Sequence, residues 1–300
     1  MIQANERSAE ADASHPVDSS AFDAIREFHN EKDVNYWLPK DEKEQKRLKV
    51  QHFAIKELYE GNVLSSVRNT LDFEKGLSVL DVGCGAGAWI MDMKEEYPKC
   101  SYDGCDIVDA VDETAKLNEF TFNYGNVVQG LPYADNTFDL VHIRFLVLAL
   151  REDQWPMAIQ ELVRVTKPGG MIQLTELDIH SLNTDCEPFL VVQSAVHAVC
   201  EKKGQNPRIA LELERMLLET ERVKLIQTDY RSCDMSSDTD TARKFRWDYF
   251  ETLKTIMPTL KPWLGLESGE EVGRLVDNYH HCLATRERHI CINAVVAQKL

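Results

Sequence analysis

From about residue 41 onward, apolar positions recur with two periods that take turns along the chain. After Asp41 and Glu44, the positions Leu48, Gln51, Ile55, Leu58 and Tyr59 return at helical spacing with charges between them, which predicts an amphipathic helix ahead of the first strand. Residues 77–82 form a short apolar run with strand character. A glycine-rich turn then leads into a helix over 88–97 that Pro98 stops. The alternation continues as a strand over 101–107, a short helix over 109–117, a short strand at Val127-Val128 and a strand over 137–145. A helix over 154–166 places Trp155, Ile159, Leu162 and Val163 on one face. Lys167-Pro-Gly-Gly170 breaks it before a strand over 171–176. Alternating β and α units imply a parallel sheet. Further on, helices are expected over 187–203, 209–221, 241–256 and 269–285. Strands over 223–230 and 290–296 would add an antiparallel pair at the sheet edge. The fold class is α/β, a Rossmann-like sheet of about seven strands, mostly parallel with an antiparallel last strand, under N-terminal and C-terminal helical cover.

The organisation expected is a disordered tail over 1–20, a helical cap over 21–70, a cofactor-binding core over 71–180, and the rest of the sheet with a helical acceptor-pocket cover over 181–300. The 300 residues, 43% hydrophobic, suffice for such a core. A net charge of −16 disfavours direct nucleic-acid binding, which needs a basic face. The opening residues carry no apolar signal-peptide region, and no apolar run approaches the roughly 20 residues of a membrane span. The eight cysteines show no C-x-x-C pair, so reduced thiols and a cytoplasmic location are expected, with a nuclear one also open.

In Asp81-Val-Gly-Cys-Gly-Ala-Gly87 the glycines let the backbone bend after the strand and let a ligand approach the main chain. A dinucleotide turn reads G-x-G-x-x-G, whereas this one reads G-x-G-x-G after an acid at the strand end. S-adenosylmethionine suits it better: Asp81 can meet the amino group, and bare backbone near Gly83 and Gly85 can pack on the methionine part. Asp106, at the end of the second strand, can accept both ribose hydroxyls, although it would do so for NAD as well.

These residues resemble the class I S-adenosylmethionine-dependent methyltransferases over residues 79–87. The likeness extends through Asp106, through residues 130–141 and through residues 161–170, four blocks in one order. Residues 36–45, Arg47-Leu48, Gln51-His52 and residues 142–150 are similar more narrowly to the fungal LaeA-like methyltransferases, over about residues 35–180. The resemblance implies that Asp81, Gly83, Cys84, Gly85 and Gly87 hold the methionine end, Asp106 the ribose, and Ile107, Val127 and Asn126 the adenine, with Gln129 an alternative to Asn126. It further implies that Tyr36 folds over the cofactor and that Arg144 reaches its carboxylate or shapes the acceptor side. The acceptor is expected to be a small molecule bearing an O, N or C nucleophile. A regulatory protein that binds the cofactor and acts through protein partners, and an NAD(P)-dependent oxidoreductase, remain as alternatives.

Methyl transfer from a sulfonium is an in-line displacement that depends mainly on alignment. His142, Glu176 and His180, at or near strand ends, are the candidate bases for weaker nucleophiles. His142 has a packed-strand alternative. Tyr36 and Trp37 would pack on the cofactor or attract its sulfonium, or else anchor the N-terminal helix; Trp247, Tyr249, Phe250 and Trp263 belong to the helical region that would line the acceptor pocket, with core packing the expected role of most of them. His280 and His281 point about 100° apart on a helix, so no metal site is expected there.

Overall fold

The structure, a computed structural model, describes residues 37–39, 41–108, 120–180 and 186–300. The expected tail, Tyr36 and the helix expected over 109–117 lie outside them. The first helix, α1 (Glu42–Tyr59), begins where the Asp41 side chain accepts the Glu44 N–H, and its end at Glu60 is left-handed. A short α2 (Ser65–Thr70) leads to β1 (Ser78–Val82), α3 (Ala88–Glu96), β2 (Ser101–Asp106) and β3 (Thr121–Tyr124). Then come β4 (Phe138–Arg144), α4 (Trp155–Val165), β5 (Thr166–Leu177), α5 (Glu187–Lys203), α6 (Leu213–Leu218), β6 (Val223–Asp234), α7 (Asp240–Leu264), α8 (Gly269–Thr285) and β7 (His289–Lys299).

The seven strands form one sheet in the order β3-β2-β1-β4-β5-β7-β6. β7 is antiparallel to both of its neighbours, and the other pairings are parallel. The chain leaves β1 toward β2 and β3, then returns to the other side of β1 as β4. This reversal opens a crevice at the carboxyl ends of β1 and β4, where open α/β sheets bind ligands. Central strands bury both faces: Val79, Leu80, Leu140, Val141, Ile143, Ile172 and Leu174 are fully enclosed. Helices α1, α5, α7 and α8 pack on one another over the crevice.

Several expectations are corrected. Val127-Val128 is not a strand: the third strand is Thr121–Tyr124, a half-exposed edge, and Val127 lies in the turn closed by the Asn126–Gly130 bridge. Lys167-Pro-Gly-Gly170 is a bulge carried within β5, between the pairs Phe138–Thr166 and Leu140–Met171, rather than a break before the strand. The helix expected over 209–221 is a 3-10 turn, Ile209–Leu211, followed by the short α6. Helix α7 runs past Pro258 and Pro262 to Leu264 because packing outweighs the lost hydrogen bonds. Met257 and Leu260 on that stretch are buried. Finally, the thiols are not all free: Cys186, before α5, and Cys282, on α8, are joined as a disulfide 96 residues apart in sequence, a pairing no local spacing announces. No helix among the described residues is long and apolar enough to cross a membrane.

Candidate active site

A cavity of about 300 Å³ opens at the crevice. Its floor is the glycine turn. Gly83, Gly85 and Gly87 all take positive φ (71°, 53° and 80°), and the Gly83 N–H donates to the Cys105 carbonyl at 2.7 Å, folding the turn over the end of β2. A side chain at Gly87 would strike Phe120 at 2.6 Å, so this glycine serves packing. At Gly85 nothing lies nearer than Leu48 of α1, at 3.9 Å, so its open side faces the cavity. Cys84 lines the same floor, and burial pushes its thiol up, which keeps it protonated.

Asp106, the last residue of β2, accepts the Gly85 N–H at 2.8 Å through one oxygen and the Val108 N–H at 3.0 Å through the other. Each oxygen retains acceptor capacity, so a vicinal diol can be held there. Ile107, Asn126 and Val127 line the adjoining wall. Asn126 Oδ1 accepts the Val128 N–H at 3.0 Å, while Gln129 is not among the lining residues.

Asp81 and His142 face each other across the β1–β4 register, and Asp81 Oδ1 lies 2.7 Å from His142 Nδ1. The imidazole stacks on Trp89 at 4.0 Å with the planes 5° apart. Burial holds His142 below the usual histidine range against the pull of Asp81, so it is neutral and donates to the carboxylate. Two residues on, along the same face of β4, Arg144 directs both terminal nitrogens at His52 Nδ1 (3.4 Å each). His52 Nε2 lies 2.9 Å from Asp92, whose carboxylate also accepts from Lys56 at 2.7 Å. Burial, then Arg144, holds His52 down to about 3, so Nδ1 is an acceptor and Nε2 a donor.

The three candidate bases part company. His142 lines the cavity, whereas Glu176 and His180 do not. Glu176 is completely enclosed; it accepts the Leu146 N–H at 2.8 Å and the Val147 N–H at 3.1 Å, and burial pushes its carboxyl up to about 8. It pins the turn that begins at Phe145, which takes a left-handed φ of 57°, rare for a bulky residue. His180 Nδ1 lies 3.2 Å from the Asp178 carbonyl. Tyr36 is outside the described residues. Trp37 is buried as an anchor, donating to Gln205 at 2.9 Å. Of the four C-terminal aromatics singled out from sequence, only Tyr249 reaches the cavity. Phe250 packs on His280, with ring centres 4.4 Å apart.

Residues to which the sequence assigned no role complete the enclosure. Arg47 and Gln51 of α1 grip Asp248 of α7 at 2.5 and 3.0 Å, with Glu44 on the other side of the guanidinium at 2.5 Å. Gln193, Thr252 and Tyr279 stand on the far wall among aliphatic side chains. Arg47 and Gln51 had a faint signal in the motif before the first strand; the far wall had none, because α5, α7 and α8 supply it jointly.

Residues 79–170 match the family model described as a methyltransferase domain. The secondary metabolism regulator laeA of Coprinopsis cinerea is 31% identical over 159 residues, 52% of this chain and 39% of that protein. Methyltransferase grgD of Penicillium sp is 30% identical, with 48% and 52% covered, and N-methyltransferase verN of Clonostachys rogersoniana is 32% identical, with 47% and 50% covered. The chain thus spans about half the length of these curated relatives, or less. Among solved structures, Haemonchus contortus phosphoethanolamine N-methyltransferase 2, crystallised with S-adenosylhomocysteine, is similar in fold: TM-score 0.50 at 15% identity, over 84% of this chain and 57% of that one. The cyclase SpnF is similar in fold too, with a TM-score of 0.50 at 18% identity over 94% and 91%.

Proposed function

We propose that this chain, whose residues 79–170 belong to the class I S-adenosylmethionine-dependent methyltransferases, transfers a methyl group to an O, N or C nucleophile of a small molecule. The observation that carries the reading is the pairing of Asp106, with acceptor capacity left on both oxygens, and the open face of Gly85 on one cavity wall, opposite a largely apolar wall. When bound, S-adenosylmethionine supplies a methyl group on a sulfonium. Asp106 would hold the ribose hydroxyls, and Ile107, Val127 and Asn126 would enclose the adenine. Asp81 keeps one carboxylate oxygen beyond its contact with His142 for the amino group, and Arg144 offers its guanidinium to the carboxylate. Helices α1 and α7, locked by Arg47 and Asp248, exclude water and align the acceptor. Glu176 and His180, being elsewhere engaged, have no part in this reading.

Calorimetric titration with S-adenosylhomocysteine tests it. The parent protein should bind. Asp106→Ala should weaken binding by about tenfold or more through lost charge-assisted hydrogen bonds, and Gly85→Val should remove it by projecting a branched side chain into the cavity. Equal affinity in parent and both variants would reject this placement of the site.

A further inference from the structure

Among the cavity's charged side chains, Arg47 is paired with Glu44 and Asp248, while Asp81, Asp106 and Arg144 touch only neutral partners and are assigned above to the amino group, ribose and carboxylate of the donor. The far wall is different in kind. Gln193 on α5, Tyr249 and Thr252 on α7, and Tyr279 on α8 line it, and none of the four has a hydrogen-bond partner among the described residues. Gln193 and Tyr279 are more than nine-tenths buried, 9% and 3% exposed. Around them stand Ile179, Val192, Val196, Leu253 and Ile256. Buried polar groups are as a rule satisfied, so the two buried ones, Gln193 and Tyr279, with the half-buried Tyr249 and Thr252 lining the same cavity, mark where a ligand's own polar atoms go.

Resting on the methyltransferase reading above, we infer that the acceptor is an uncharged, mainly apolar molecule whose heteroatoms are held by Gln193, Tyr249, Thr252 and Tyr279. The physical reason is the cost of the alternatives. An anion or a cation drawn against this wall loses its hydration and meets only the neutral side chains of Gln193, Tyr249, Thr252 and Tyr279 there. A plain hydrocarbon would leave an amide and three hydroxyls dry. Burial pushes both tyrosine hydroxyls well above the ordinary phenol range, so they stay protonated and can donate as well as accept.

The test uses the full chain saturated with S-adenosylhomocysteine at pH 7 and four bicyclic probes of one shape: 2-naphthol, naphthalene, 2-naphthoate and 2-naphthylmethylammonium. Calorimetry should rank 2-naphthol above each of the other three by about tenfold or more. The double variant Tyr249→Phe, Tyr279→Phe should erase most of the preference over naphthalene, and Gln193→Leu should reduce it. Melting temperature and S-adenosylhomocysteine affinity serve as controls for folding. The inference is overturned if either ion binds as tightly as 2-naphthol, if the double variant keeps the preference, or if the loaded protein binds none of the probes. Failure to bind S-adenosylhomocysteine at all would instead reject the reading on which this one rests, and both would fall.

Discussion

Where β2 ends, Asp106 is buried enough that its carboxyl is pushed up to about 6, despite the N–H groups of Gly85 and Val108 that favour ionisation. The consequence has two signs. In the unliganded protein an acid with a raised pKa binds its proton more tightly folded than unfolded, so this group's contribution to stability is present at low pH and is lost as pH rises through about 6. Ribose hydroxyls donate to the ionised form, so cofactor affinity should run the other way. Titration with S-adenosylhomocysteine across pH 5 to 8 should give a plateau above about 7 and a fall of up to about tenfold per unit below about 6. Asp106→Asn should flatten the profile, and a profile that stays steep in that variant would assign the dependence elsewhere. His52 works differently. Held neutral at about 3, it presents Nδ1 to Arg144 at any physiological pH. His52→Leu should weaken S-adenosylhomocysteine by about tenfold while leaving 5′-methylthioadenosine, which lacks the amino-acid end, within about twofold. His52→Asn, which keeps an acceptor near the Nδ1 position, should recover much of the loss. Equal losses for both ligands would make His52 a general packing residue.

Between elements, a buried ion pair clamps α1 on α7 over the cavity. Arg47 is 3% exposed and Asp248 is 2% exposed, so removing either leaves a charge without hydration and short of a partner. Asp248→Ala should cost about 3 kcal/mol in urea unfolding, and Asp248→Asn markedly less. An unchanged midpoint in Asp248→Ala would mean that the remaining partners of Arg47, Glu44 among them, satisfy the guanidinium. Legibility at this scale follows periodicity. Helices α5 and α8 were readable to the residue, because their apolar stripes stop at Lys203-Gly204 and start after Ser268. The third strand was not, since Thr121–Tyr124 is a polar edge strand and the apolar pair beside it, Val127-Val128, is spent on the cavity wall. The length of α7 was hidden by Pro258 and Pro262, whose local penalty is outweighed only by neighbours distant in sequence.

For the molecule as a whole, the donor half of the cavity was visible in the chain because it is local. Turn, acid and strand end follow within about 25 residues, and strand order then places Asp81 opposite His142 at the reversal between β1 and β4. The acceptor half was not, because Gln193, Thr252 and Tyr279 come from helices that share no motif and meet only through tertiary packing. The −16 net charge is likewise uninformative about this cavity, whose lining carries charges of both signs. Trp89 lies flat on His142, 4.0 Å away, and of the chain's five tryptophans it is the one that borders the cavity. Its indole is therefore an optical gauge built into the donor site: whatever enters beside it changes the polarity and the electron-accepting surroundings of the ring. The molecule's ultraviolet emission thus carries a record of whether the cavity is filled, without any added label.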